Sequence, residues 1–327
     1  MSAKTEDRKL PLIVLTSPLP AEFKDLLDGR VRVRVFKHPE PLSDDMLCRR
    51  LKGASGAVTL PSDSVTAKVF NACPALKVVA NCAVGTDNVD LEAAGNLGVV
   101  VTHTPEVLTE ASADAAWTLL LSIARHGVAG DRLVRRGRFK GWQPDLLLGM
   151  DLRGKVLGIV GMGRIGRAVA RRAPAFGMHV VYTQRHRLKP SQESALSARF
   201  LPLDELVATA DVVSLHCPLT PETHHLMDRK RLTAMKEGAL LVNISRGGVV
   251  DEAALVDCLR AGHLGGAGLD VYENEPALAE GLTRIANTML LPHIASAGRE
   301  TRAAMARLAV SDCLAVIEGR EPAFRVV

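Results

Sequence analysis

A chain of 327 residues, 47% hydrophobic and 24% charged, is long for one domain and suits two, each with its own core, which excludes intrinsic disorder. The net charge of +5 comes from scattered Lys and Arg with no run of five, and aromatics reach only 3%, so no nucleic-acid surface is expected. No apolar run spans a membrane, the charged start Met1 to Leu10 lacks a leader's apolar core, and six cysteines without a CxxC pair read as reduced thiols, so a cytoplasmic protein is expected.

With so few aromatics the core must be built from Val, Leu, Ile and Ala, a composition that suits parallel strands covered on both faces. Buried strands are predicted at Leu12 to Leu15, Val31 to Val35, Ala57 to Leu60, Val78 to Asn81 and Val99 to Thr102. Helical patterns lie between them, at Ser43 to Lys52 and Ser64 to Ala72. This alternation argues for a parallel sheet with crossover helices. Thr104-Pro105 breaks it, and Thr109 to Ala124 reads as one long helix rich in Ala and Leu. A polar stretch from Gly137 to Gly154 precedes a second series of strands. Its members are Val156 to Val160, His179 to Tyr182, Val212 to Leu215, Leu240 to Asn243, Gly266 to Leu269 and Met289 to Leu291. A helix from about Gly298 to Ile317 closes the chain. The fold class is therefore α/β, with two doubly wound parallel sheets.

The strand Val156 to Val160 runs straight into Gly161-Met162-Gly163-Arg164-Ile165-Gly166, a GxGxxG followed by a helix expected over Arg164 to Ala175. Gly161 permits the tight turn, Gly163 lets backbone approach a pyrophosphate, and Gly166 lets the helix pack on the strand. About twenty residues on, a carboxylate would hold a ribose 2′-hydroxyl. This chain reads Gln184-Arg185-His186-Arg187 instead. Arg185 and Arg187 would attract a 2′-phosphate, so NADPH is expected ahead of NADH.

Three later strand ends carry chemistry. Arg246 follows Asn243-Ile244-Ser245, a cluster of acids follows Asp270, and His293 follows Leu291-Pro292. Reducing a 2-oxo acid needs a cation for the carboxylate and keto oxygen, a proton donor, and a group that keeps the donor charged. Arg246 offers a planar fork, and His293 offers an imidazole, the side chain suited to proton transfer near neutral pH. Glu275 is the candidate partner for His293, with Glu273 competing for that role. His216 reads as structural and Cys217 as a strand-end thiol. No metal site is expected.

The sequence resembles the D-2-hydroxyacid dehydrogenase family over nearly its whole length. The likeness rests on Val84 to Asp90, Gly158 to Gly166, His216 to Thr220, Asn243 to Asp251, Gly268 to Pro276 and Pro292 to Ser296. Glyoxylate and hydroxypyruvate reductases are the most similar members, particularly across Gly149 to Arg185 and Gly268 to Gly298. The resemblance implies that Arg246 binds substrate, that Glu275 partners the catalytic His293, and that the amides of Val84 and Gly85 surround the substrate carboxylate as an anion nest. It places Asp270 by the nicotinamide carboxamide, and Met162 to Ile165, Gln184 to His186, Pro218 and Ile244 along the cofactor.

It further implies a Rossmann cofactor domain, residues 106–297, inserted into a flavodoxin-like substrate domain of residues 1–105 and 298–327, with the active site in the interdomain cleft. A homodimer is implied, held through the helix from Thr109 and the segment Phe139 to Leu148. Expected substrates are glyoxylate, hydroxypyruvate or 2-ketogluconate, with Leu60, Trp142 and Leu146 to Leu148 as pocket candidates. Phosphite, 3-phosphoglycerate and lactate remain open as substrates. So does a nucleotide-sensing role like that of the family's corepressor members.

Overall fold

The computed structural model describes residues 10–37 and 42–327. The expectation that the chain starts without a leader's apolar core rests on residues 1–9, outside the described residues. In chain order the first elements are β1 (Leu12–Leu15), α1 (Lys24–Leu27), β2 (Arg32–Val35), α2 (Asp44–Arg50), β3 (Gly56–Thr59), α3 (Ala67–Ala72), β4 (Val78–Asn81), α4 (Leu91–Asn96) and β5 (Val100–Thr102). Then come α5 (Thr109–Ala124), α6 (Gly127–Arg135), β6 (Val156–Val160), α7 (Arg164–Arg172), β7 (His179–Thr183), α8 (Pro190–Leu196), β8 (Ala198–Phe200), α9 (Leu203–Thr209) and β9 (Val212–Leu215). The last are α10 (Arg229–Ala234), β10 (Leu240–Asn243), α11 (Glu252–Arg260), β11 (Gly266–Leu269), β12 (Thr288–Leu290) and α12 (Arg299–Ile317). The chain divides into two compact units, the residues up to Leu108 with Ala297–Val327, and Thr109–Ser296.

In the first unit five parallel strands run in the order β2-β1-β3-β4-β5, the flavodoxin arrangement. Leu47 of α2, Leu51 just after it, and Val69 and Phe70 of α3 bury one face of this sheet. The opposite face receives α12 so closely that a Cβ on Gly56 would lie 2.6 Å from Cys313 Sγ. The chain's last residues cover the β5 edge, Val326 donating to the Val101 carbonyl at 2.7 Å and Val101 to the Val327 carbonyl at 3.1 Å. Of the segment expected as a buried strand at Val31 to Val35, Val31 is buried, but the strand formed by Arg32–Val35 is not. All four residues of β2 are exposed, because β2 pairs only with β1 at the sheet's edge. Its Arg-Val-Arg-Val pattern places charge along that edge, where charge discourages further strand pairing.

In the second unit seven parallel strands run in the order β12-β11-β10-β9-β6-β7-β8. Counted within the unit this is the Rossmann order, extended by one strand, and its direction reverses between β6 and β9. Strand β6 contributes to both faces: Leu157 and Ile159 join one apolar cluster and Val160 the other. Helix α5 packs Ala113, Ala116, Leu119 and Ile123 into one of these layers. A Cβ on Gly268 of β11 would sit 2.8 Å from Leu119 Cβ. The helix expected to face a partner subunit thus directs its apolar face into its own unit. Helix α7 ends at Arg172 rather than at Ala175, because Pro174 carries no amide hydrogen and a 3-10 turn over Ala173–Phe176 replaces the last turn. Strand β8, Ala-Arg-Phe, is too short and mixed to show a sequence pattern. Among the described residues no helix is long and apolar enough to cross a membrane.

Candidate active site

The candidate residues of the second unit all stand at the carboxyl ends of its strands, where an open α/β sheet gathers its ligands. Gly161, directly after β6, holds φ +96°. A Cβ there would lie 2.7 Å from the Cys217 amide nitrogen after β9. A Cβ on Gly166 would run into the Gly161 carbonyl oxygen, so α7 sits on β6 as closely as backbone permits. Gly163 is different: it is exposed, and a Cβ there would meet no atom within 4 Å. Protein packing alone does not require glycine at that position. No side chain caps the first turn of α7, the arrangement that receives a phosphate. These residues fit a dinucleotide.

The rest of the expected cofactor set divides. Ile165 is half-buried and Pro218 exposed beside the glycine loop, whereas Ile244 is buried after β10. Met162 is fully buried, and its amide donates to Gln184 Oε1 at 3.1 Å. Both residues therefore brace the glycine loop from inside. After β7, Arg185 is exposed and its Nε lies 3.1 Å from His186 Nε2. Arg187, expected to share a 2′-phosphate, is instead gripped by Glu193 of α8 through contacts of 2.8 and 2.9 Å. Arg187 and the Tyr182 hydroxyl hold the Glu193 carboxyl down at about 2.

Downstream, Glu275 Oε2 lies 2.9 Å from His293 Nδ1, and Glu275 Oε1 accepts the Tyr272 amide at 2.9 Å. Burial pushes the Glu275 carboxyl up, but hydrogen bonds from His293 and the Tyr272 amide, with the Arg246 charge, outweigh it. The net shift is downward from 4.5. A carboxylate depressed in this way stabilises the fold fully above its unfolded value and loses that contribution as pH falls through the folded value. The melting-temperature difference between the protein and its Glu275→Gln variant should therefore hold steady above pH 4.5 and shrink below it. A difference independent of pH would remove Glu275 as an ionised partner.

Glu273, the competing carboxylate, turns away and bonds His225 Nε2 at 2.6 Å. The sequence left the two acids open, and the geometry gives Glu275 to His293. Arg246 is half-buried, its backbone carbonyl accepting Asn243 Nδ2 at 2.9 Å and its Nη1 donating to the Ser245 carbonyl at 2.8 Å. Gly247 follows so tightly against Tyr272 that a Cβ would collide with the Tyr272 carbonyl. That contact seats the Arg246 turn on the Glu275 loop.

His293 stands at φ +55°, a conformation few non-glycine residues adopt. Asp270 imposes it from beneath. Its carbonyl accepts the His293 amide at 2.9 Å, and its two carboxylate oxygens accept the Ile294 and Ala295 amides at 2.7 Å each. Asp270 is 0% exposed and supports the His293 turn with both carboxylate oxygens. His216, as expected, is structural: Ser214 Oγ lies 2.8 Å from its Nε2, and desolvation drives the imidazole down to about 3. Burial raises the Cys217 thiol to about 11, as suits an inert thiol.

Sequence reasoning missed several supports. Buried Glu252, at the start of α11, accepts the Glu273 amide at 2.8 Å and the Ala279 amide at 3.3 Å, holding the acid loop from its far side. The Tyr272 hydroxyl donates to the Leu291 carbonyl at 2.9 Å, tying that loop to the end of β12. Only the adjacent acids Asp251-Glu252 at a helix start gave any hint of Glu252, since one of them suffices as cap.

In the first unit the turn after β4 carries Val84 and Gly85. The Val84 carbonyl lies 2.9 Å from His103 Nδ1, and the Gly85 carbonyl accepts Asn81 Nδ2 at 2.9 Å. Neither Val84 nor Gly85 donates its amide to another described residue. Asn88 Nδ2 bonds the Leu60 and Asp63 carbonyls at 3.0 and 2.9 Å, fixing the turn to the loop after β3. Asn81 and Asn88, which sequence patterns alone do not mark, set the shape of this turn.

A family model described as D-isomer specific 2-hydroxyacid dehydrogenase, NAD binding domain, matches residues 117–295. The chain is 45% identical over 316 residues to a glyoxylate reductase from Thermococcus onnurineus (strain NA1), covering 95% of this chain and 94% of that one. A crystal structure of a protein from Thermus thermophilus superposes with a TM-score of 0.91 at 51% identity, covering 97% of this chain and 100% of that one. An NADPH-dependent glyoxylate/hydroxypyruvate reductase from Sinorhizobium meliloti, in complex with NADP and malonate, superposes with a TM-score of 0.84 at 34% identity, covering 97% of each chain.

Proposed function

Because the chain belongs to the D-isomer specific 2-hydroxyacid dehydrogenase family and is an NAD(P)-dependent enzyme, we propose that it reduces glyoxylate or hydroxypyruvate to the D-2-hydroxyacid, with NADPH preferred. The observation that carries this reading is the His293–Glu275 pair at 2.9 Å, with the Arg246 charge acting on the same carboxylate. The relatives named glyoxylate reductase support the substrate, and the NADPH-dependent Sinorhizobium enzyme supports the cofactor.

When bound, the nicotinamide cofactor supplies the hydride that reaches C2 of the keto acid. Arg246 binds the substrate carboxylate and keto oxygen through its fork. His293 gives the proton of Nε2 to the keto oxygen, which becomes the hydroxyl. Glu275 accepts from Nδ1 throughout, fixing the ring's tautomer and stabilising its charged form. The cofactor lies along the glycine loop Gly161 to Gly166, with Gln184 to His186 near the adenosine ribose and Pro218 and Ile244 along its length.

Arg185 alone reads the 2′-phosphate, Arg187 being held by Glu193. Glyoxylate reduction measured with each cofactor tests this: Arg185→Ala should weaken NADPH about 10- to 100-fold and leave NADH nearly unchanged, the loss of one charge-assisted contact. Equal losses for both cofactors would refute the role. Exposed Phe139, Trp142 and Leu148 offer the surface for a homodimer, Trp142 being 85% exposed. The six free thiols suit a reducing compartment such as the cytoplasm.

A further inference from the structure

Outside the hydride-transfer site, three metal-ligating side chains from two loops of the second unit meet. After β9 the chain folds into a compact turn: the Thr220 amide donates to Thr223 Oγ1 at 2.7 Å, and the His224 amide donates to the Thr220 carbonyl at 2.9 Å. The turn is bound to the segment after Arg246 through the His225 amide on the Gly248 carbonyl at 2.8 Å and the Met227 amide on the Val249 carbonyl at 3.0 Å. This places His224 and His225 side by side with their rings stacked, centroids 4.1 Å apart. Two adjacent residues project to one side because His225 adopts φ +49°, the left-handed conformation that His293 shares. Glu273 comes to them from the acid loop, its amide fixed by Glu252 and its Oε1 lying 2.6 Å from His225 Nε2.

We propose that His224, His225 and Glu273 form a binding site for a divalent transition-metal ion of the zinc class. One ligand atom from each of the three lies within 4.8 Å of the others. Two imidazole nitrogens and one carboxylate oxygen are the donor set such ions take, leaving a fourth position for water. Around a tetrahedral ion with bonds of about 2.0–2.1 Å, donors sit roughly 3.3 Å apart, so side-chain rotation alone brings this cluster into register. The backbone on both sides is already fixed. Glu252 anchors one loop, and the pairing of Met227 and Val250 anchors the other. A bound ion replaces the His225–Glu273 hydrogen bond and ties the turn after β9, itself paired with the segment after Arg246, to the loop that carries Glu275.

The test is titration of the full-length protein, dialysed against chelator, with Co²⁺ followed by visible absorbance, and then with Zn²⁺ as competitor. One equivalent of Co²⁺ should give ligand-field bands that Zn²⁺ abolishes, and Zn²⁺ should raise the melting temperature. His225→Asn keeps a residue that tolerates the left-handed backbone while removing the imidazole. It and Glu273→Gln should each weaken binding about 100-fold or more, beyond the usual cost of losing an outer-shell partner. His293→Ala should leave binding intact. No uptake by the unaltered protein, or uptake that survives both substitutions, overturns the proposal. Uptake lost in His293→Ala instead assigns the ion to the catalytic pair and overturns it equally. If His225→Asn melts at a lower temperature without metal, Glu273→Gln and His224→Ala decide the matter.

Discussion

His293→Ala should lower turnover about 100- to 10,000-fold while leaving NADPH bound as tightly as before. The range is that of a positioned general acid, and the geometry argues for the upper part of it. His293 is the only described side chain hydrogen-bonded to Glu275, and Asp270 fixes its backbone through three hydrogen bonds. So much structure around one exposed imidazole, in a backbone conformation that most residues avoid, has no evident packing purpose. The NADPH half of the expectation follows from position. His293 lies after β12, at the far edge of the sheet from β7, whereas the adenosine side of the cofactor is proposed along β6 and β7. Fluorescence titration with NADPH and steady-state turnover separate the two effects. Unchanged turnover would remove His293 from the mechanism, and equal loss of binding and turnover would make it a structural residue.

Arg246→Ala should cost roughly 2–5 kcal/mol of transition-state stabilisation, about 30- to 5,000-fold in kcat/KM, the range for losing one partner of a hydrogen-bonded charge pair. Arg246→Lys should recover little of it, because an ammonium matches neither the planar carboxylate nor two acceptors at once. Part of the loss would come through Glu275, whose carboxyl the Arg246 charge helps to hold ionised. The split between KM and kcat distinguishes the possibilities. A rise in KM alone would confine Arg246 to holding the substrate carboxylate. A fall in kcat shows that it also acts on the keto oxygen as charge develops there.

Where a residue's role depends on backbone pattern, the sequence was legible. The strand before Gly161 and the helix after it lie where the glycine spacing put them, and the long helix Thr109–Ala124 matches its expected ends. Arg246, Glu275 and His293 follow β10, β11 and β12, at the strand ends where the sequence pattern put them. Roles that depend on side-chain pairing were not legible. Arg187 reads as a phosphate ligand until Glu193 on the next helix is seen to hold it, and nothing in the spacing of residues 187 and 193 fixes that pairing. That Asp270 holds the His293 turn with both carboxylate oxygens could not be read from spacing, since the amides it accepts lie 24 and 25 residues on. β2 reads as a buried strand because Val recurs in it, yet burial depends on its place in the sheet order, which strand composition alone does not determine. Glu252 escaped notice for the same reason, since its partners lie 21 and 27 residues away.

The most direct measurement is the oxidation of NADPH and NADH, followed by absorbance, with glyoxylate, hydroxypyruvate, 2-ketogluconate and pyruvate offered in parallel. Glyoxylate or hydroxypyruvate should be reduced fastest, and faster with NADPH than with NADH. Tight NADPH binding without reduction of any of the four acids would contradict the proposed activity.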